Sequence, residues 1–386
     1  VLSNNDGCII SRSNEAKKLG IPMGMPYFAA LPLIKEHNIQ VFSSNYTLYG
    51  EMSRRVMQVL EQFAPQIEYY SIDEAFLNLE GIEDIEAYAR KVRKTVLQWT
   101  GIPVSIGIAN TKTLAKVANI IAKKNIYGVY HLQEAARENI LKETMIEDIW
   151  GIGRKWSKFL RSQGVVTAYN FINMPDFWVR KHLKIIGLKT LAELKGIPCI
   201  VLEDENVPKK SITVSRSFST YLTTLDDLKE VAVRFTSRAA EKLRDEGQAC
   251  QHIAVYVRTN PHTKDKPYYS NAASINLSYA TDYTPDLIRH SLKGLESIFK
   301  SGYSYKKLGI YLSNLQPKAN IIHDLFVYKD NTAQSKLMTV MDSLNKKMGK
   351  GTVFYAGAGL NPLWPSKSDM RSPNYTSNWS ELVKVK

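Results

Sequence analysis

Cysteine is scarce in this chain: 386 residues hold three, Cys8, Cys199 and Cys250, far apart and odd in number. No CxxC pair or His/Cys spacing accompanies them, which argues against a disulfide scaffold and a zinc finger. Long apolar runs are missing too. Nothing approaches the roughly 18 consecutive apolar residues that a membrane-crossing helix needs, so membrane insertion by a helix is excluded. There is no GxxxxGK[ST] loop, which argues against a P-loop nucleotidase. No internal repeat or low-complexity tract is visible. The chain opens on Val1-Leu2-Ser3-Asn4-Asn5, with neither Met nor a signal peptide before it. That opening has the form of a strand's tail running into a turn, as expected of a fragment lacking its true N-terminus.

Positive charge, by contrast, is in excess. Lys and Arg number 51 against 37 Asp and Glu, a formal net charge of +14, so a polyanion leads the candidate partners. The excess is +2 over residues 1–130, +1 over 131–206, +7 over 207–320 and +4 over 321–386. Half of it therefore lies in one segment, 207–320, which is the candidate for an electrostatic clamp on phosphates. An ordinary solvated basic surface would give the same count.

At about 150 residues per domain the length predicts two to three domains. Helical apolar spacing occurs over 14–19, 51–63 and 85–99, and residues 67–79 are rich in β-formers. Residues 103–109 contain a short buried strand, VSIGIA, and 114–122 a helix with Lys116 and Lys123 on it or at its end. This alternation predicts an α/β unit with a mixed sheet. Residues 131–206 are mostly helical, and 204–210 have the composition of a linker. Strand patterns at 211–217, 253–259, 272–277 and 308–312, with helices at 228–243 and 285–299, predict a separate α+β domain.

Three features could carry chemistry. Asp73 and Glu74 are adjacent acids inside a β-prone run, and neighbours in a strand share a site only where the strand bulges or turns. Flanked by apolar residues they need a compensating cation, and Mg²⁺ suits carboxylate oxygens; a surface acid pair at a hairpin has the same pattern. Lys17, Lys112, Lys116, Lys123 and Lys124 are candidate phosphate-facing cations, with a solvated lysine face as the plain alternative. Ile149-Trp150-Gly151-Ile152-Gly153-Arg154 lies between two helical stretches. A hydrophobic-Gly-x-Gly turn there matches the helix-hairpin-helix pattern, whose glycines let backbone N–H groups approach a DNA phosphate.

With these features in order, the sequence resembles the Y-family (translesion) DNA polymerases, most closely the UmuC branch. The matching residues are Asn14-Glu15-Ala16-Lys17, Ser43-Ser44-Asn45-Tyr46, Ser71-Ile72-Asp73-Glu74-Ala75-Phe76, Gly107-Ile108-Ala109-Asn110-Thr111-Lys112-Thr113-Leu114-Ala115-Lys116 and Trp150-Gly151-Ile152-Gly153. Residues 337–342 and 351–357 look like the C-terminal extension of UmuC-type proteins. The resemblance implies a multidomain α/β and α+β right hand. Fingers would span 1–45, palm 46–128, a helical thumb with the helix-hairpin-helix 129–206, an α+β little finger 207–320 and the extension 321–386.

Carried over residue by residue, the resemblance makes Asp73 and Glu74 catalytic ligands for two Mg²⁺, and Lys17 and Lys123 contacts for the dNTP triphosphate. Gly151, Gly153, Arg154, Lys155 and Arg216 become DNA contacts. Asn14 stands where the family often has Tyr. The family's third metal-binding carboxylate and its aromatic gate against ribonucleotides would lie before Val1, so the chain as given is expected to be impaired in catalysis. The implied function is error-prone translesion synthesis in the bacterial SOS response, in the cytoplasm and on the nucleoid. Implied partners are primer-template DNA, a UmuD-type accessory subunit, the RecA filament and the sliding clamp. The clamp motif's counterpart, Ile322-His323-Asp324-Leu325-Phe326, keeps Leu325 and Phe326 without the leading Gln. A non-catalytic damaged-DNA-binding accessory is the alternative. A helix-hairpin-helix nuclease or ligase module leaves the SIDEAF run and the 207–320 domain unexplained.

Overall fold

The computed structural model describes residues 1–203, 208–263, 266–320, 332–360 and 367–384, so the expected clamp segment at 322–326 lies outside the described residues. The chain divides into two compact units, one of 1–44 with 208–372 and one of 45–207 with 373–386.

The first 44 residues form two helices, α1 (Asn14–Lys18) and α2 (Tyr27–Glu36). Ser13 caps α1 by accepting from Ala16 N. Leu2, Ile9, Ala16, Ile21 and Ala30 make a small core, which Met370 of the C-terminal segment completes from outside. Ser43 N donates to Met370 O (3.0 Å) and Met370 N donates to Ser43 Oγ (3.1 Å), so backbone and the Ser43 hydroxyl together stitch the tail to this block.

Residues 45–207 run α3 (Tyr46–Leu60), β1 (Ile67–Tyr69), β2 (Ala75–Leu77), α4 (Ile85–Thr100), β3 (Ile106–Ile108), α5 (Lys112–Ala122) and β4 (Val129–His131), then five further helical pieces. The anticipated mixed sheet does not form among the described residues. Instead β1 and β2 pair antiparallel and β3 and β4 pair parallel, as two separate two-stranded sheets. Each of these strands is three residues long. Gly107 explains how α5 lies on β3: a Cβ there would sit 2.2 Å from Asn119 N and 2.4 Å from Ala115 O. The helical part comprises α6 (Glu134–Glu143), a 3₁₀ turn at Ile146–Asp148, α7 (Arg154–Ser162), α8 (Ala168–Ile172) and α9 (Asp176–Leu194). Leu141, Ile146, Leu160, Phe171 and Leu194 are fully buried where these pack. Each such side chain contributes about 1.5–3 kcal/mol.

Residues 208–317 form an antiparallel sheet of order β5-β8-β6-β7. The strands are β5 (Ser211–Leu222), β6 (Gln248–Thr259), β7 (Ser270–Thr281) and β8 (Tyr305–Pro317). Each is longer than its sequence pattern suggested, because polar positions on the open face interrupt the apolar run without ending the strand. The helices α10 (Leu225–Asp245) and α11 (Thr284–Ile298) share one core with the sheet. Leu228, Val231, Phe235, Ala239 and Leu243 recur at helical spacing along the buried side of α10. The extension adds α12 (Thr332–Met348) and a 3₁₀ turn at Ala356–Ala358.

Candidate active site and nucleic-acid contacts

Asp73 and Glu74 do not lie within one strand. They end the five-residue connection between β1 and β2, where Tyr70 N and Ser71 N both donate to Glu74 O at 3.1 Å. Asp73 is exposed, and Ser71 Oγ donates to its Oδ1 at 2.6 Å. Glu74 is half-buried, and its Oε1 accepts from Lys116 Nζ at 2.6 Å. The turn satisfies the geometric condition that adjacent acids in a strand cannot meet. The Asp73 carboxylate is exposed, and that of Glu74 already holds the Lys116 ammonium.

The helix α5 supplies that cation, and Thr111 caps its start by accepting from Leu114 N. Lys112, in its first turn, is 8% exposed and turns inward to Glu68 of β1, also donating to Val201 O at 2.8 Å. Glu68 additionally accepts from Glu203 N at 2.7 Å. Lys112 and Lys116 therefore neutralise hairpin acids instead of facing solvent. Only Lys123 and Lys124 remain exposed, at the helix's far end, with Lys123 the C-cap residue. Lys116 also sits 5.2 Å from the Tyr70 ring centroid, and Lys112 5.0 Å from that of Phe76, distances at which an aromatic face stabilises an ammonium.

The Gly-x-Gly turn joins α6 and α7 as the spacing predicted. Ile149 and Ile152 are buried, Gly151 has φ +88°, and Gly153 is the N-cap of α7 with no side chain covering the first turn. Arg154 and Lys155 are exposed beside that N-terminus. A bidentate pair between Arg161 of α7 and Glu147 of the 3₁₀ turn braces the hairpin. Trp150, in the turn itself, donates from Nε1 to Tyr70 OH at 3.0 Å and packs against Tyr70 and Phe76. The Gly-x-Gly turn and the acid hairpin are thus joined through an aromatic triad that sequence reading missed, Tyr70 and Trp150 being 80 residues apart.

A second missed element is Glu193, fully buried near the end of α9. Its Oε2 accepts from Thr113 N (3.0 Å), and its Oε1 from Cys199 N (2.9 Å) and Ile200 N (3.0 Å). Thr111 Oγ1 donates to its carbonyl at 2.9 Å. A buried carboxylate at a helix N-terminus is favoured by the unsatisfied amides and the helix dipole, so Glu193 seats the first turn of α5.

Lys17 and Arg216 belong to the other compact unit. Lys17 is exposed on α1, donating to Asn14 Oδ1 at 3.4 Å. Arg216 lies opposite Leu308 in the register of β5 and β8, and Leu308 is in the core. Arg216 is therefore on the helix-covered side, not the open face. The open face instead carries Tyr256, Arg258, Lys307 and Tyr311, with Arg258 paired to Lys307 and Lys307 Nζ 5.9 Å from the Tyr256 ring. These residues alternate with the buried Ile253, Val255 and Val257, a period-two signal the sequence contains.

Residues 1–119 match the model of the impB/mucB/samB family, residues 209–325 that family's C-terminal domain, and residues 335–385 a domain of unknown function. The chain is 41% identical to Protein UmuC of Salmonella typhimurium, over 100% of this chain and 93% of that protein. It is 38% identical to Protein MucB of Escherichia coli, over 99% and 92%. Identity to DNA polymerase IV of Treponema denticola is 26%, over 89% and 86%. A solved Y-family DNA polymerase chimera of Dbh and Dpo4 superposes with a TM-score of 0.62 at 21% identity, covering 82% of this chain and 88% of that one, and so has the same fold. The chain belongs to the impB/mucB/samB family, the UmuC branch of the Y-family DNA polymerases.

Proposed function

We propose that this protein performs template-directed DNA synthesis past damaged bases, joining a deoxynucleotide to a primer 3′-hydroxyl with two Mg²⁺, and that Asp73 and Glu74 need the third carboxylate that the family resemblance expects, without which the chain as given is impaired. The observation that carries the reading is the pair Asp73 and Glu74 at an accessible hairpin turn, tied by Trp150 to a helix-hairpin-helix turn. Two members of the expected donor set are present, and among the described residues no third acid or histidine joins them. Both carboxylates offer hard oxygen ligands, and the Lys116 ammonium on Glu74 stands in for a cation there. When bound, the metal ions lower the pKa of the primer hydroxyl and neutralise developing phosphate charge.

The chain's own residues position the rest. Asp73 and Glu74 hold the ions. Lys123, exposed at the end of α5, is the triphosphate contact in this unit, and Lys17 on α1 is the second one that the family resemblance assigns. The uncapped N-terminus of α7, with Gly151, Gly153, Arg154 and Lys155, holds a DNA phosphate without reading sequence. In the reaction the 3′-oxygen forms a bond to the α-phosphorus as the bond to pyrophosphate breaks, and the hydroxyl proton leaves to solvent. Such transfer depends on alignment and electrostatics more than on covalent catalysis.

Primer-template DNA and dNTP are the substrates, and a UmuD-type subunit, the RecA filament and the sliding clamp are the proposed partners in SOS mutagenesis. Among the described residues no helix is long and apolar enough to cross a membrane, in keeping with work on DNA in the bacterial cytoplasm. Single-nucleotide insertion opposite an abasic site, by the protein supplied with the third carboxylate that the family resemblance expects and with Mg²⁺ and the accessory subunit present, tests the reading. Insertion there supports it, and DNA binding without insertion contradicts it.

A further inference from the structure

The ribbon of β1 and β2 that presents Asp73 and Glu74 is held by three residue pairs, and an isolated two-stranded hairpin is at best marginally stable in water. It needs an anchor outside itself. Tyr70 opens the turn, and its N–H donates to Glu74 O at 3.1 Å, so the two backbones move together. The Tyr70 side chain is 45% exposed, yet Trp150 Nε1 donates to its hydroxyl at 3.0 Å. A hydroxyl this exposed could bond to water, so the indole bond fixes a direction more than it satisfies a buried group. The rings of Tyr70, Phe76 and Trp150 close a triangle, with centroids 5.4, 5.6 and 5.8 Å apart.

Trp150 is itself firmly placed. Its neighbours Ile149 and Ile152 are buried in the core of the helical part, and Ile152 N donates to Ile149 O at 3.0 Å, closing a turn that holds Trp150 and Gly151. On the hairpin, Lys116 Nζ donates to Glu74 and lies 5.2 Å from the Tyr70 ring centroid and 6.0 Å from that of Phe76. Glu74 is thus fixed at its backbone through Tyr70, and at its carboxylate by an ammonium that the same two rings stabilise. All of these residues belong to one compact unit.

We infer that Trp150 is a positioning residue for the reaction proposed above: acting through Tyr70 and Phe76, it fixes the turn from which Glu74 presents its carboxylate. The inference rests on the reading of Asp73 and Glu74 as metal ligands. Trp150 touches neither metal nor substrate in this role. A ring that only filled space between the hairpin and the helices would leave the turn's geometry to three residue pairs.

Trp150→Phe keeps a ring and removes the N–H donor, and Tyr70→Phe keeps the ring and removes the acceptor. In amide hydrogen exchange each should speed the Tyr70 and Ser71 amides about 2- to 12-fold, the factor that one net hydrogen bond contributes. The double variant should go no further than either single one, because both delete the same bond. In single-nucleotide incorporation by the protein supplied with the third carboxylate, the single-turnover rate at saturating dNTP should fall by a similar factor. The dNTP concentration for half-maximal rate and the primer-template affinity should stay unchanged. Unchanged amide exchange in both single variants overturns the inference, as does a double variant whose effect is the product of the two. So does faster exchange with an unchanged single-turnover rate, which would leave Trp150 a packing residue only. An unsubstituted protein that binds DNA without incorporating fails the reading of Asp73 and Glu74 instead, a result that the exchange data separate from a failure of Trp150 to hold the turn.

Discussion

Glu193 offers the sharpest quantitative test of how the helical part holds the lysine helix beside the acid hairpin. Replacing it with Gln keeps the shape and one acceptor oxygen. That oxygen can still take the amides of Cys199 and Ile200, which share Oε1 now. The new NH₂ must then face Thr113 N, where Oε2 accepts at 3.0 Å. One charge-assisted hydrogen bond is lost, and a buried donor at the start of α5 meets another donor. A hydrogen bond to a charged group is worth about 1.5–3 kcal/mol, and an orphaned buried donor costs about 1–3 kcal/mol. These overlap, so Glu193→Gln should destabilise this unit by about 3 kcal/mol. Glu193→Ala removes all three acceptors and leaves a cavity, and should cost more, about 5 kcal/mol. Urea unfolding followed by fluorescence of Trp150, Trp156 and Trp178, which all lie in this unit, measures both. Losses under about 1 kcal/mol for both variants, or a larger loss for Gln than for Ala, would refute the role assigned to this carboxylate.

Other predictions rest on independent contacts. Gly107→Ala sets a methyl against the backbone of α5, so the helix must shift; the cost should reach or exceed the usual 1–3 kcal/mol of overpacking, roughly, in the same urea assay, and a silent substitution would contradict the packing described. Lys116→Gln removes the cation held by Glu74, and Mn²⁺ affinity of the DNA-free protein, read by electron paramagnetic resonance, should rise several-fold. Unchanged affinity would mean that the pair does not compete with a metal. Burial pushes the Cys250 thiol up to about 12, so its reactive thiolate is suppressed at neutral pH. Iodoacetamide should spare Cys250 in the native protein and alkylate it only after unfolding, as mass spectrometry can follow.

What the sequence revealed was mostly local. Apolar spacing located α3, α4, α10 and α11, because a helix that packs on a core repeats its buried side every turn. The Gly-x-Gly turn was legible because a φ of +88° at Gly151 has few other solutions. Asp73 and Glu74 stood out as adjacent acids where only a turn lets them cooperate, and the hairpin provides one. Contacts between distant segments were not legible. Lys116 looked like a phosphate-facing cation because nothing near it in sequence shows Glu74, 42 residues away. Glu193 resembles any helical glutamate until the chain brings Thr113, Cys199 and Ile200 around it. Arg216 was placed among DNA contacts by the family resemblance, whereas strand register decides which side of the sheet it faces.

The central claim is that Asp73 and Glu74 perform chemistry rather than decorate a DNA-binding surface. Single-nucleotide incorporation and primer-template affinity, measured side by side for the protein supplied with the third carboxylate and for its Asp73→Ala and Glu74→Ala variants, address it directly. The account predicts that each substitution abolishes incorporation while DNA affinity stays nearly unchanged. Incorporation that survives both substitutions, or a loss that only tracks weakened DNA binding, would contradict it.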